Sequence, residues 1–248
     1  MNKKEPLIDL LIHDLTGPIS VVFASVKSLL KKADAVPAEQ REVLERILRN
    51  SSKARNLLQE LVEVYRSEEG QFSREAFPVG EMVRDAFLDA LEVIDPQKAE
   101  SLLCCATRDE FFDALRRDEI IVKISGKYSL APFVHDLRKM RQIVRNLISN
   151  ALKHRKKQMR LSVSGESDLS IAVQDDGTGI TRKEQAAVFD RFANLTDKTC
   201  IDVQGLGFGL SCVRTLLEAI GGEIGVHSEE GGGTLFTVRV PPLLEAQS

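Results

Sequence analysis

The N-terminal part of the chain carries apolar side chains at alternating steps of three and four residues, the spacing of a helix that packs along one stripe. The pattern predicts one helix from about residue 6 to 33, and Pro37 opens a second helix after a short polar turn. The two stripes are Ile8, Leu11, Leu15, Pro18, Val22, Ser25 and Leu29, and then Leu44, Ile47, Ser51, Ala54, Leu58, Leu61 and Tyr65. Joined by so short a loop, they predict an antiparallel helical hairpin.

The hairpin has more apolar surface than two helices can bury against each other. Further apolar residues flank both stripes: Ile19, Val26, Leu30, Val43, Leu48, Leu57 and Val62. We therefore expect two copies of the chain to close a four-helix bundle, which makes a homodimer through residues 6–67. If Ile8 is heptad position a, then His13 is position f, the position farthest from the packed stripe.

The pattern changes after the hairpin, and we divide the chain into a hairpin (1–70), a linker (71–78) and a second domain (79–248). Polar residues broken by Gly70 indicate the linker. The predicted elements that follow are a helix from Val79 to about Val93, a strand at Ile120–Ile124, a helix from about Leu137 to Arg155, strands at Arg160–Ser164 and Leu169–Gln174, a helix around Leu210–Ile220, and strands at Glu223–His227 and Thr234–Val240. Their irregular alternation predicts an α+β fold with helices on one face of a mixed sheet.

Residues 95–118 do not fit this pattern and are longer than we expect between a helix and the next strand. Their apolar residues Phe111, Phe112, Ala114 and Leu115 suggest a helix that packs on the domain. The alternative is a regulatory contact.

Composition excludes several classes of partner. The chain has 248 residues with 34 basic and 37 acidic side chains, so its formal charge of -3 gives no reason to expect nucleic acid. No apolar run approaches the ~20 residues that span a bilayer. Cys104, Cys105, Cys200 and Cys212 form no C-x-x-C pair, which argues against zinc and fits a reduced, cytoplasmic setting.

Three motifs in the second domain suggest chemistry beyond packing. In "RNLISNALKH" (145–154), the polar residues Asn146, Asn150, Lys153 and His154 share one face of a helix, which alone is typical of a solvated face. In "VQDDGTGI" (173–180), a strand ends in acids and glycines that permit a sharp turn and a close ligand, although a simple turn has the same pattern.

The third motif is the glycine-rich "GLGFGLSCVR" (205–214), which leads directly into an amphipathic helix. Backbone amides of Gly205, Gly207 and Gly209, followed by a helix N-terminus, suit phosphate groups. The spacing matches neither the P-loop nor G-x-G-x-x-G.

The order of these motifs, with "VFDRF" before the glycine loop and "GGGTLFTVRVP" after it, resembles the ATP-binding domain of two-component sensor histidine kinases, within the GHKL ATPase superfamily. Residues 135–242 carry this resemblance, and residues 6–67 resemble the family's dimerisation and histidine-phosphotransfer hairpin. The resemblance implies an α/β sandwich of the Bergerat type, with ATP and Mg²⁺ as ligands and a response-regulator receiver domain as partner in trans.

The resemblance also assigns site residues. Asn150 matches the asparagine that helps to hold Mg²⁺ and Asp175 matches the aspartate that reads the adenine amino group. The other matches are Asn146, Lys153 and His154 on the helix, Gly177 and Gly179 in the D-x-G-x-G turn, Gly205, Gly207 and Gly209 in the second glycine box, and Thr234 beside the adenine pocket.

A lid is implied between Phe192 and Gly205, flanked by the family's two phenylalanines, Phe189 and Phe192. These rings are expected to be core as well as hinge. Arg191 or Lys198 could face the γ-phosphate, but the family often has a basic residue where this chain has Asn194, so that choice stays open.

The segment "HDLTGPI" (13–19) resembles the family's phosphoacceptor motif. The resemblance implies that one imidazole nitrogen of His13 attacks the γ-phosphorus of Mg-ATP, while Asp14 orients the ring or accepts its other proton. Pro18 removes a helix hydrogen bond and is expected to bend the helix just past His13. We expect His135 and His227 to be ordinary surface or loop residues.

One residue departs from the relatives that also dephosphorylate their partner. Four residues after the histidine they usually have threonine or asparagine, which can position a water, whereas this chain has Gly17. We therefore expect weak phosphatase activity, and we expect Gly17→Thr to raise it.

The sequence predicts an ATP-dependent protein-histidine kinase that autophosphorylates His13 and relays the phosphoryl group to an aspartate of a separate response regulator. No sensor domain is recognisable, so either a sensory part has been cut away or another protein brings the signal. One alternative is a phosphotransfer scaffold with a vestigial ATP domain that docks a receiver protein. Another is a serine kinase of the anti-sigma type, which should lack the histidine-bearing hairpin.

Overall fold

A computed structural model describes residues 5–31, 37, 40–52, 54, 72–189 and 208–243. The chain divides into two compact units, residues 1–66 and 67–248. The described part of the first unit is helical and that of the second combines helices with strands, so the predicted α+β class is confirmed.

The first unit contains helix α1, Glu5–Lys31, and a second helical stretch at residues 40–52 and 54, here called α2. α1 continues through Pro18 without interruption. Val26 is only 7 % exposed, whereas Leu15, Val22 and Leu29 are 50 %, 44 % and 47 % exposed. One side of α1 is therefore buried within the unit, and a row of apolar residues at heptad spacing remains uncovered.

The second unit has two sheets. The bounds of its strands are β1 Glu75–Phe77, β2 Ile120–Ile124, β3 Phe133–His135, β4 Met159–Ser164, β5 Leu169–Asp175, β6 Glu223–Glu229 and β7 Gly233–Val240. β1 and β3 form an antiparallel pair, and the others form a five-stranded sheet in the order β2-β4-β5-β7-β6. β2 runs parallel to β4 and the remaining pairs are antiparallel, which confirms the predicted mixed sheet.

Helices cover one face of the large sheet. Their bounds are α3 Val79–Ile94, α4 Pro96–Leu103, α5 Arg108–Arg116, α6 Leu137–His154, α7 Arg182–Ala187 and α8 Phe208–Ala219. Burial alternates strictly along β4 and β5, so every second side chain faces the helices and the others face outward. α6 packs on β5 and α8 packs on β6, while α3 packs on α6.

An ion pair joins α3 to α6. Arg141 donates to both carboxylate oxygens of Asp89, at 2.6 and 2.7 Å, and its third contact is to Asp85 at 3.3 Å. This bidentate geometry is the strong form of an arginine–carboxylate pair. The pair therefore holds α6, the helix that carries the asparagine motif, against α3.

Residues 95–118, which sequence alone left open, form α4 and α5 and belong to the core of this unit. Asp95 caps α4 by accepting from the Lys98 amide, and Thr107 caps α5 in the same way. Phe111 and Leu115 are fully buried, as the predicted helix packing requires.

Two sequence expectations differ from the structure. The predicted linker, residues 71–78, contains strand β1, which pairs with β3 through Ala76 and Val134. His135 was expected at the surface, but it lies in β3 with no exposed area, and its ring stacks on Phe133 with centroids 5.7 Å apart. That expectation was wrong because a strand of three residues is too short to show an alternating pattern. His227 is exposed, as expected.

Among the described residues, no helix combines the length and apolar character needed to cross a membrane.

Candidate nucleotide site

Asp175 is the central carboxylate of the candidate site. It ends β5 on the face that packs against the helices and is only 6 % exposed. The Gly177 amide donates to its Oδ1 at 2.8 Å. Burial raises the pKa of Asp175, and backbone hydrogen bonds from Gly177 and Thr234, together with the charge of His154, oppose that rise. The side chain is thus a buried acceptor that still holds unused lone pairs.

The next residue, Asp176, has a different role. Its carboxylate accepts from the amides of Lys156 at 2.9 Å and Lys157 at 3.0 Å, in the loop after α6. Burial raises the pKa of Asp176, but hydrogen bonds from the Lys157, Gln158 and Lys156 amides outweigh it and the pKa is lowered. Asp176 therefore attaches the loop after α6 to the turn, and its role is structural.

Close packing requires glycine at both turn positions predicted from the motif. A Cβ at Gly177 would lie 2.4 Å from the carbonyl oxygen of His154, so the turn touches the C-terminal end of α6. Gly179 has φ +71°, and a Cβ there would overlap the carbonyl oxygen of Glu229 in β6. The D-x-G-x-G turn is thereby fixed between α6 and β6, and both glycines are explained without a ligand.

The four polar residues of α6 have different surroundings. Asn146 is buried, and its Nδ2 donates to the carbonyl oxygen of Gly209 at 3.3 Å, so it joins α6 to the start of α8. Asn150, one turn later, is half-buried, and Lys153 and His154 are exposed in the last turn. Asn146 thus positions the end of the glycine segment, while Asn150, Lys153 and His154 are accessible to a ligand.

Only part of the second glycine box can be located. Gly209 lies in the first turn of α8, and among the described residues a Cβ there would meet only Asn146 Cγ, at 3.9 Å. Gly205, Gly207, Phe192 and the predicted lid with Arg191, Asn194 and Lys198 lie outside the described residues. Phe189 is described, and its ring packs edge-on against Phe236 of β7 with centroids 6.2 Å apart, which is core packing.

A hydroxyl network lies beside Asp175, and of its two hydroxyl residues the sequence predicted Thr234 but not Ser228. Cross-strand pairing sets Asp175, Thr234 and Ser228 in one row over β5, β7 and β6. The Ser228 and Thr234 hydroxyls are 3.1 Å apart, and Ser228 also accepts from the Ile180 amide at 2.9 Å. Gln185 of α7 donates to the carbonyl oxygens of Ile180 and Ser228. A serine near the end of a strand has no motif that would reveal this role.

The predicted phosphoacceptor motif lies in the other unit. His13 and Asp14 have helical backbone within α1, and their side chains lie outside the described residues. Gly17 is exposed, and an added Cβ would meet nothing within 4 Å among the described atoms. A larger residue at position 17 is therefore sterically acceptable.

The described residues contain no group of three or more His, Cys, Asp or Glu side chains able to hold a metal ion. Asn150 supplies an amide oxygen, and oxygen is the ligand that Mg²⁺ prefers, usually with substrate phosphates and waters as its other ligands. Asn150 therefore fits a Mg²⁺ ion whose other ligands come mostly from a bound nucleotide and from waters.

Known proteins resemble the part of the chain that contains the candidate site. Residues 135–244 match the family of histidine kinase-, DNA gyrase B-, and HSP90-like ATPases. The chain resembles the catalytic core of a two-component sensor histidine kinase. The sensor protein SrrB of Staphylococcus aureus strain MRSA252 is 28 % identical over 243 residues, which are 96 % of this chain and 38 % of SrrB. The chain therefore spans well under half the length of this curated relative.

Solved structures share the fold. Full-length ShkA in complex with AMPPNP matches with a TM-score of 0.66 and 21 % identity, over 97 % of this chain and 46 % of that one. The histidine kinase AdeS of Acinetobacter baumannii matches with a TM-score of 0.54 and 20 % identity, over 94 % and 98 %. These likenesses show that the chain shares the α+β fold of these structures.

Proposed function

We propose that the protein is an ATP-dependent protein-histidine kinase that autophosphorylates His13 and relays the phosphoryl group to an aspartate of a separate response regulator. The observation that carries the proposal is the setting of Asp175, a buried acceptor tied to the Gly177 turn at the C-terminal end of α6. The same chain carries His13 on a helix of its other unit.

The second unit binds the nucleotide in this proposal. Asp175 accepts from the adenine amino group, and the Asn150 amide oxygen holds Mg²⁺ against the phosphates. Lys153 and His154, exposed at the end of α6, approach the nucleotide, and amides of the glycine segment 205–209 receive the phosphates. Bound Mg²⁺ supplies neutralisation of phosphate charge. The family match to ATPases and the AMPPNP complex of ShkA support this assignment.

The hairpin supplies the nucleophile. One imidazole nitrogen of His13 attacks the γ-phosphorus, a P–N bond forms, and ADP leaves with the electron pair of the broken P–O bond. Asp14 orients the ring or accepts its other proton. The phosphoryl group then passes to a receiver aspartate in trans. Residues 6–67 form a four-helix bundle with a second copy, which the exposed row Leu15, Val22 and Leu29 supports.

Incubation with γ-labelled ATP and Mg²⁺ tests the proposal. We expect the chain to acquire a label that acid removes and base does not, because phosphohistidine has this stability. His13→Gln should abolish labelling, while His227→Gln, which changes an exposed histidine in β6, should leave it intact. A wild-type chain that neither takes up label nor binds ATP would be a phosphotransfer scaffold instead.

A further inference from the structure

Ser228 lies where three polar groups meet. Its Oγ accepts from the Ile180 amide at 2.9 Å, lies 2.7 Å from the carbonyl oxygen of Gly233, and lies 3.1 Å from the Thr234 hydroxyl. These contacts join the D-x-G-x-G turn, the hairpin between β6 and β7, and the row that contains Asp175. The geometry therefore couples Ser228 to the candidate adenine site without a direct contact between Ser228 and Asp175.

The direction of the hydrogen bonds follows from counting protons. A carbonyl oxygen only accepts, so the single hydroxyl proton of Ser228 is directed to Gly233. The contact between the two hydroxyls then requires Thr234 to be the donor. Ser228 Oγ thus donates once and accepts twice, from the Ile180 amide and from Thr234, and its hydrogen-bonding capacity is filled.

This direction determines what Thr234 can offer a ligand. Its only hydroxyl proton is used by Ser228, so its oxygen presents lone pairs to any other group. Asp175, its cross-strand neighbour on the same face, is an acceptor when ionised. Two adjacent acceptors favour a ligand that brings hydrogen-bond donors and disfavour a ligand that brings a carbonyl oxygen.

We propose that Ser228 is a specificity-determining residue, which holds Thr234 as an acceptor so that the site selects a purine with an exocyclic amine over one with a carbonyl at that place. The inference deepens the proposed function and rests on it, because it assumes that the base lies beside Asp175 and Thr234. Ser228 acts through Thr234 and is a positioning residue.

The test compares ATP with inosine triphosphate, which carries a carbonyl where ATP carries the amine. Dissociation constants are measured by calorimetric titration of the full chain with Mg²⁺ at one fixed pH. In Ser228→Ala, the Thr234 hydroxyl is released and can turn to donate to the carbonyl. We expect the preference for ATP over inosine triphosphate to fall about tenfold, the size of one hydrogen bond changed in a buried site. A general loosening of the fold lowers both affinities and leaves their ratio unchanged.

Further variants give the result a second, independent support. Thr234→Val keeps the side-chain shape and removes the hydroxyl, so it should also lower the ratio, and adding Ser228→Ala should then change it no further. Ser170→Ala, on the outward face of β5, is the matched control and should keep the wild-type ratio. If both single variants fold and keep the wild-type ratio, the inference is overturned.

The two proposals fail in different ways. A wild-type chain that binds no ATP overturns the proposed function, and this inference with it. A chain that binds ATP selectively while Ser228→Ala and Thr234→Val retain full selectivity overturns the inference alone. If Ser228→Ala does not fold, as judged by circular dichroism, Thr234→Val decides the matter, and an unchanged ratio in that variant rejects the role of Thr234 as acceptor.

Discussion

At the scale of single residues, Asp175 and Asp176 are adjacent carboxylates whose pKa values move in opposite directions. Burial raises the pKa of Asp175, while backbone amides lower that of Asp176. A raised pKa means that the folded protein binds a proton at Asp175 more readily than the unfolded chain does, so the ionised form opposes folding at neutral pH. Asp176 has the reverse effect, because its ionised form favours folding. We therefore expect Asp175 to serve binding and Asp176 to serve stability.

Substitution by asparagine should separate these two roles. We expect Asp175→Asn to lose ATP affinity by about 10- to 100-fold, the range for a hydrogen bond to a charged group, with an unchanged or higher melting temperature. Asp176→Asn should lower the melting temperature and keep ATP affinity, because its partners are the amides of Lys156 and Lys157. Calorimetric titration and thermal unfolding of both variants check this, and the reverse pattern would contradict the assignment of roles.

ATP affinity should also depend on pH through Asp175. Since its pKa is raised, the carboxylate protonates at a higher pH than an exposed aspartate would. We expect ATP affinity to weaken as the pH falls through that raised pKa, because protonation removes the charged acceptor. Titrations at stepped pH check this, and Asp175→Asn serves as the control because its residual affinity should lack this component.

His135 makes the stability of the fold depend on pH. Burial lowers its pKa from 6.5 to about 4, the Asp136 charge opposes this, and the Lys139 charge adds to it. Its Nδ1 accepts from the Asp136 amide at 2.8 Å, and its Nε2 is buried without a partner among the described residues. The neutral ring therefore favours folding above pH 6.5, and this contribution is lost as the pH falls toward 4.

Denaturant unfolding at pH 7.5 and 5.5 tests this effect. We expect His135 to account for a loss of about 1 kcal/mol between these two conditions, since each pH unit inside the window is worth up to about 1.4 kcal/mol. His135→Asn keeps an acceptor for the Asp136 amide and removes the titrating ring. Between these two pH values the variant should therefore lose about 1 kcal/mol less unfolding free energy than the wild type does. Equal losses in both proteins would show that His135 does not titrate on unfolding.

At the scale of elements, we expect alanine to have opposite effects on stability at two glycines of the candidate site. Gly179→Ala should lower stability by more than about 1 kcal/mol, because φ is +71° and the Glu229 carbonyl oxygen occupies the place of a Cβ. Gly209→Ala should keep or slightly raise the melting temperature, since alanine favours a helix and Asn146 Cγ is the one described atom near an added Cβ. If amides of the glycine segment bind phosphate, the second variant should nevertheless lose ATP affinity.

Thermal unfolding and ATP titration of both variants separate packing from binding. Gly231→Ala is a useful reference, because that residue also has a positive φ, of +79°, but a Cβ there would meet no described atom within 4 Å. A Gly209→Ala chain that binds ATP as tightly as the wild type would remove this residue from the phosphate site.

The elements that sequence predicted well have a clear local pattern. β2 was predicted with its observed bounds because it is a run of β-branched residues, and α6 to within one residue of its end because its buried positions recur at helical spacing. β1 and β3 were missed, since each has three residues and depends on a partner about sixty positions away. Asp175, Gly177 and Gly179 were predicted from one motif, D-x-G-x-G. The role of Ser228 depends on contacts between strands, and no local pattern encodes it.

At the scale of the whole molecule, the proposed reaction is divided between two compact units. Residues 1–66 carry the proposed phosphoacceptor helix, and residues 67–248 carry the candidate nucleotide site. A division of this kind allows the fold of each unit to be stable while the reaction depends on their encounter. Substitutions in the second unit that abolish ATP binding should therefore leave assembly of the first unit intact.

The proposed assembly depends on the row Leu15, Val22 and Leu29, which share heptad position a and are 50 %, 44 % and 47 % exposed within one copy. Val26, one turn away, is buried inside the unit. In the proposed four-helix bundle, the exposed row packs against its equivalent in a second copy, so a charge placed there would be buried without a partner. Val22→Asp should therefore convert a dimer into a monomer.

Light scattering after size-exclusion chromatography measures this change in mass. The matched control is Ala24→Asp, which puts the same charge at position c of α1, on the exposed side opposite the row, and should remain dimeric. Because the proposed bundle is formed by the hairpin alone, Asp175→Asn should be dimeric as well, even though it binds ATP weakly. A Val22→Asp chain with the mass of a dimer would mean that the apolar row of α1 is covered by something other than a second hairpin.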